Sequence, residues 1–273
     1  MGDHRNEAPH EAPATATALV KAAGIGKVFV DDRGRAREAL GGVDLEVPPG
    51  GFLSIIGPSG CGKSTLLRII GGLSAATTGT LEIDPSVRSR IAFVFQDHSL
   101  FPWLRVVDNA AFGLRMAGIG RAERRRRAMG WLERLGLAGV ADAWPDELSG
   151  GMRQRLSLAR ALVTDPALLL MDEPLGALDP QTRLVVQQDL ARLYEETGVT
   201  MVLVTHSLEE AIWLGDRVVA MTARPGRIAD VFDVPLPRPR DEAMLDTEAF
   251  TSLRHALWSR LETEVRASMG APS

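Results

Sequence analysis

Gly57-Pro58-Ser59-Gly60-Cys61-Gly62-Lys63-Ser64 decides the fold. The octet reads G-x-x-x-x-G-K-[ST], and its surroundings are those such a loop requires. An apolar, strand-like run over 52–56 precedes it, and a helical segment over 64–70, ended by Gly71-Gly72, follows it. Glycines let backbone N–H groups converge on an anion without obstruction from Cβ. The helix start that carries Lys63, Ser64 and Thr65 adds unpaired donors and the positive end of its dipole. Lys63 is placed to reach the β- and γ-phosphates of a nucleoside triphosphate, and the Ser64 hydroxyl to bind Mg²⁺. Cys61 is a small filler in the loop. A thiolate there would lie near positive charge, which predicts sensitivity to thiol reagents.

Outward from the loop, Leu168-Leu169-Leu170-Met171-Asp172-Glu173 is an apolar strand ending in two carboxylates. Ligands of open α/β sheets bind at the carboxyl ends of strands, so the acidic pair falls where the phosphate loop opens. Successive strand residues point to opposite sides, which gives the two carboxylates separate tasks. Asp172 is placed to hold Mg²⁺ through water, Glu173 to orient and polarise an attacking water. The rival reading is a pair of solvated residues at a strand end.

Strand patterns also occur over 28–30, 43–47, 91–95, 199–205, 217–222 and 227–234, and helical patterns over 103–144, 152–163, 181–196, 208–214 and 248–267. The alternation predicts an α/β domain with a mostly parallel sheet. Residues 1–19, rich in Ala, Pro, Glu and Thr, read as a disordered tail. Arg124, Arg125, Arg126 and Arg127 read as a solvated helix face.

With 31 Lys and Arg against 35 Asp and Glu, the 273-residue chain carries a net charge of -4. That balance argues against general nucleic-acid binding, which needs a basic footprint. No apolar run approaches the roughly 18 residues of a membrane span, and no secretory signal is visible. A single cysteine excludes an internal disulfide framework and fits a reducing compartment.

Five further segments bring out a resemblance. Leu148-Ser149-Gly150-Gly151-Met152-Arg153-Gln154-Arg155 looks like the LSGGxxQR signature, Gln96 like a Q-loop glutamine, Ala177-Leu178-Asp179 like a D-loop and His206 like a switch histidine, while Phe29 sits where an aromatic stacks on adenine. Over 22–234 the chain resembles the ATP-binding subunits of ABC transporters. The resemblance implies an α/β P-loop NTPase core with a mixed, mostly parallel sheet, an N-terminal antiparallel β-subdomain and an inserted α-helical subdomain at about 103–155. The ATPase domain would span 20–240 and a C-terminal helical extension 241–273.

It also implies roles. ATP would be sandwiched between the phosphate loop of one subunit and Ser149, Gly150, Gly151 and Gln154 of another, with Asp179 touching the partner. Gln96 would ligate Mg²⁺ and contact the attacking water, and His206 would sense the γ-phosphate. Plainer readings stand beside these: Ser149-Gly150-Gly151 as a helix cap, Asp179 as an N-cap before Pro180, Phe29 as a strand core residue and Gln96 as surface. Implied partners are transmembrane permease subunits, a second ATP-binding subunit in a homodimer, and indirectly a solute-binding protein, with no nucleic acid. The place implied is the cytoplasmic face of the membrane, as a peripheral subunit. Phe101-Pro102-Trp103-Leu104, Met221-Thr222-Ala223-Arg224-Pro225-Gly226-Arg227-Ile228 and Leu236-Pro237-Arg238-Pro239-Arg240-Asp241 look like importers of nitrate, aliphatic sulfonates and taurine. The rival is a soluble ABC ATPase of DNA repair or translation, whose usual coiled-coil insertion or paired ATPase halves are not seen in the sequence.

Overall fold

Alternation of apolar and polar residues gives the first strands one dry face. The computed structural model describes residues 18–270, with side chains to 266. β1 (Val20–Val30) and β2 (Ala36–Val47) pair antiparallel across a turn in which Gly34 N donates to Asp31 O. Val43, Leu45 and Val47 are buried while Asp44 and Glu46 face water, the period of two expected of a half-buried strand. β3 (Phe52–Ile56) leaves for a second sheet, and β4 (Thr78–Ile83) returns to pair antiparallel with β1, giving the order β2-β1-β4. β4 has no counterpart in the sequence reading. Only Leu81 and Ile83, half-buried against the core on either side of exposed Glu82, mark it as a strand, a pattern too short to read, and its ladder to β1 completes it. The tail expected over 1–19 lies outside the described residues apart from Ala18 and Leu19, and Leu19 already donates to Val47 O.

The second sheet adds β5 (Ile91–Val94), β6 (Leu168–Asp172), β7 (Thr200–Val204), β8 (Arg217–Met221) and β9 (Ile228–Asp233) in the order β5-β6-β7-β3-β8-β9. Every neighbouring pair is parallel except β8 with β9. β3, β6 and β7 are buried at every position, which is why they read as unbroken apolar runs.

The helices are α1 (Lys63–Ile70), α2 (Val106–Ala110), α3 (Phe112–Met116), α4 (Arg121–Arg134), α5 (Gly150–Leu162), α6 (Pro180–Thr197), α7 (Leu208–Leu214) and α8 (Glu248–Gly270). The single helical pattern expected over 103–144 resolves into α2, α3, α4 and a short 3-10 turn, with breaks at Gly118-Ile119-Gly120 and Gly136. Val106, Val107, Leu132 and Leu156 of these helices join Leu169 and Met171 of β6 in one buried cluster, so the helical segment is fastened to the sheet. Buried Asn109 holds the preceding loop. Its Oδ1 accepts from Phe101 N, and its Nδ2 donates to the Phe101 and Leu104 carbonyls. Of the arginine run read as a solvated face, Arg126 pairs with Glu123 and Arg125 with Asp142 at the surface, while half-buried Arg127 pairs with Asp165 and donates to Val163 O. On the sheet's far edge, Phe250, Leu257 and Leu261 of α8 pack with Ile212, Val218 and Ala220.

Asp216 ties the C-terminal segment to the central sheet. Its carboxylate accepts from Phe52 N at 2.9 Å, from the Tyr194 hydroxyl at 2.6 Å and from Arg238 Nη2 at 2.8 Å. Burial opposes its ionisation, but the bonds from Tyr194, Arg238 and Phe52 together outweigh burial and hold the carboxyl below the usual carboxylate range. Buried Arg240 nearby is brought down to about 10, chiefly by desolvation and then by Arg238. A depressed carboxyl pKa stabilises the fold above the unfolded-state value and loses that contribution as pH falls through the folded one. Asp216→Asn therefore lowers unfolding free energy by about 1–2 kcal/mol near neutrality, after allowance for partial exposure. Urea unfolding reads the loss, and the gap from the parent narrows at about pH 3; an equal gap at both pH values contradicts the assignment.

Candidate functional site

The phosphate loop leaves the carboxyl end of β3 and enters α1 at Lys63. Gly62 has φ +107, and a Cβ there would lie 2.7 Å from Leu40 Cδ2 and 2.8 Å from Ala39 O. Both the backbone conformation and the space demand glycine. Lys63 is buried over the loop, its Nζ donating to Gly57 O at 2.8 Å and Pro58 O at 3.0 Å. The ammonium is thus held by two loop carbonyls at a helix start. Cys61 is buried beneath them. Desolvation pushes its thiol up, with Lys63 only partly opposing, so the thiol-reagent sensitivity expected from charge alone is corrected by burial.

β6 delivers Asp172 next to this loop. Its Oδ1 accepts from Ser64 Oγ at 2.7 Å, and Arg68 Nη2 stands 4.0 Å from Oδ2. Burial raises the Asp172 pKa against the opposing effects of Ser64 and Arg68. The parallel register pairs Asp172 with Val204 of β7, so residues just past each strand become neighbours. Glu173 N donates to Val204 O at 2.9 Å, and Glu173 Oε2 lies 3.1 Å from His206 Nδ1. Glu173 takes φ +45, a left-handed conformation rare for a residue with a side chain and held here by the surrounding bonds. Adjacent carboxylates thus diverge, one toward Ser64 and one toward His206.

A cavity of about 320 Å³ opens over the loop. Phe29, Arg37, Gly60, Lys63, Ser64, Thr65, Glu173 and Arg224 line it. Phe29 is 46% exposed, with Lys27 Nζ 5.0 Å from its ring centre, so it is not the strand core residue of the plainer reading. The sequence alone does not single out Arg37 or Arg224 as site residues. Arg37 stands opposite Phe29 in the β1–β2 ladder, and only the register of that hairpin reveals it. Arg224 comes from the β8–β9 turn, far away in sequence.

Gln96, Ser149, Gly150, Gly151, Gln154 and Asp179 do not line this cavity. Ser149 caps α5, its side chain accepting from Met152 N, and Asp179 caps α6, accepting from Thr182 N at 3.0 Å. A Cβ on Gly151 would lie 2.3 Å from Thr182 Cγ2, so the two helix starts are packed together. Gln154 is fully buried, its Oε1 2.9 Å from His98 Nδ1, and burial lowers the pKa of that imidazole. Gln96 is exposed just past β5. Among the described residues no cluster of three or more His, Cys, Asp or Glu could hold a metal, and no helix is long and apolar enough to cross a membrane.

Three comparisons place this geometry. The family model described as "ABC transporter" matches residues 40–176. The chain is 48% identical over 259 residues to the aliphatic sulfonates import ATP-binding protein SsuB 3 of Nocardia farcinica, covering 95% of this chain and 97% of that one. It is 46% identical over 214 residues to the taurine import ATP-binding protein TauB of Rhizobium johnstonii, covering 77% and 82%. Among solved structures, a dimeric bacterial ABC transporter cassette superposes with TM-score 0.71 at 34% identity, over 80% of this chain and 100% of that one. A dimeric post-hydrolysis state of an ATP-binding cassette bound to ADP and Pi gives 0.70 at 33%, with the same coverage. By family model, by relatives matched along four-fifths or more of their length and by fold, the chain belongs to the ABC transporter family as an ATP-binding cassette.

Proposed function

We propose that this chain is the ATP-hydrolysing subunit of an importer for nitrate, an aliphatic sulfonate or taurine. One observation carries the catalytic part: a buried lysine in a glycine-built loop faces two hydrogen-bonded pairs, Ser64 with Asp172 and Glu173 with His206. The loop amides and Lys63 hold the phosphates, and Phe29 offers its exposed ring to the adenine. Mg²⁺ fits the donor set. Ser64 and Asp172 supply hard oxygen donors and the protein supplies few ligands, as suits an ion that keeps waters and phosphate oxygens. Gln96 is the further ligand expected from its loop. Bound there, the ion would neutralise charge on the phosphates. Glu173 orients an attacking water and takes its proton, while His206 fixes the Glu173 carboxylate and meets the γ-phosphate.

The signature residues Ser149, Gly150, Gly151 and Gln154 serve a second copy of the chain, with Asp179 at the contact. Two observations support this: they line no part of their own chain's cavity, and both similar solved structures are dimers. Membrane permease subunits are the other partners, with a solute-binding protein acting through them at one remove. Trp103, 69% exposed on the loop held by Asn109, is the surface offered to the permease at the cytoplasmic face. The sulfonate and taurine importers among its relatives, and the segments that resemble nitrate, sulfonate and taurine importers, support the substrate class.

Co-expression with candidate permease and solute-binding subunits tests the reading. The expected outcome is a complex with a multi-span membrane protein whose ATPase rate rises when the binding protein carries taurine, an alkanesulfonate or nitrate. Full ATPase activity with no membrane partner would favour the soluble class instead.

A further inference from the structure

The turn between β8 and β9 does more than reverse the chain. Arg224 Nη2 donates to Gly60 O at 2.7 Å, reaching 164 residues back to the phosphate loop. The peptide joining Gly60 to Cys61 is thereby held at both ends, because Cys61 N donates to Pro58 O at 3.3 Å. A trans peptide points its carbonyl and its N–H in opposite directions, so fixing both ends fixes the plane. Two residues on, Gly226 supports the same loop segment from beneath. A Cβ at Gly226 would lie 2.0 Å from Cys61 O, closer than any side chain can come. The turn is itself anchored. Gly226 N donates to Ala39 O, and Gly226 O accepts from Gly41 N, both at 3.0 Å. Ala223 N donates to Glu264 Oε2 of α8 at 2.8 Å. Arg224 also faces the cavity that Lys63 and Glu173 line.

We infer that Arg224 is a positioning residue for nucleotide binding: it sets the Gly60–Cys61 peptide of the phosphate loop, and Glu264 of α8 holds the turn that presents it. The C-terminal helix thereby bears on nucleotide affinity although none of its described side chains lines the cavity. This rests on the reading of the loop as an ATP site. The loop's shape matters to binding in every cycle, whereas the attacking water is handled by Glu173 and His206. The expected signature is accordingly a rise in KM with little change in kcat.

Steady-state ATPase kinetics and ATP binding are measured on the parent, Arg224→Ala, Arg224→Lys, Glu264→Ala and the Ala/Ala double variant. Arg224→Ala should raise KM and Kd for ATP about five- to tenfold, the loss of one charge-assisted hydrogen bond at an exposed site. Its kcat should stay within about twofold, and its ligand-free melting temperature should match the parent's. A single Nη2-to-carbonyl bond is within reach of an ammonium, so Arg224→Lys should restore most of the affinity. Glu264→Ala should shift KM in the same direction by less and add nothing further in the double variant. Parental KM in Arg224→Ala, no rescue by lysine, or additive effects of the two alanines would each overturn the inference. A parent chain that fails to bind ATP would instead overturn the reading of the site.

Discussion

Glu173→Gln is expected to bind ATP as the parent does and to hydrolyse it about 10³-fold more slowly, within the range that a positioned general base supplies. The substitution keeps the side chain's size and its ability to hydrogen-bond while removing the charge that accepts a proton. Glu173 touches neither Lys63 nor Ser64 by a hydrogen bond, so the phosphate cradle is left intact. The ground-state complex therefore persists and the barrier alone rises. If two ATP molecules join two chains and hydrolysis releases them, the variant also accumulates as a dimer in the presence of MgATP. Single-turnover kinetics with radiolabelled ATP measure the first effect and sedimentation the second. Hydrolysis at the parental rate would remove Glu173 from its role.

Much of this site could be read along the chain because its parts are contiguous and chemically loud. The glycine loop, Lys63 and Ser64 occupy eight successive positions, and Asp172 ends a strand whose wholly apolar composition announces two covered faces. The central strands, α1 and α6 follow from the same strong periodicities. Val186, Leu190 and Leu193 are all buried where their spacing puts them.

What escaped reading depends on register and on close approach, neither of which has a local sequence signal. β4 offers only Leu81 and Ile83 as an apolar alternation, too short to mark a strand, and its pairing with β1 is what defines it. Arg37 enters the cavity because it stands across the hairpin from Phe29. Pro225-Gly226 reads as an ordinary turn, and only the fold brings its Arg224 against Gly60. At the Cys61 thiol two effects compete: Lys63 alone would favour a thiolate, and burial outweighs it. The breaks within the helical stretch over 103–144 carry little local signal, because glycines lower helix propensity without forbidding a helix, and tertiary packing decides where they fall.

The second large effect is expected at Lys63. Its ammonium is buried against two loop carbonyls, those of Gly57 and Pro58. Lys63→Ala removes a charge from a site built to meet several negative oxygens, at a cost of about 10²-fold or more in affinity. The loop glycines and α1 keep their backbone bonds, so the variant should retain the fold, which circular dichroism verifies. Calorimetric titration of MgATP into the parent and into Lys63→Ala tests the central claim that the triphosphate lodges between this cradle and the acidic rim at Asp172 and Glu173. The predicted result is one ATP per parent chain and no measurable binding to the folded variant. Equal affinity in the two proteins, or no binding to the parent, would contradict it.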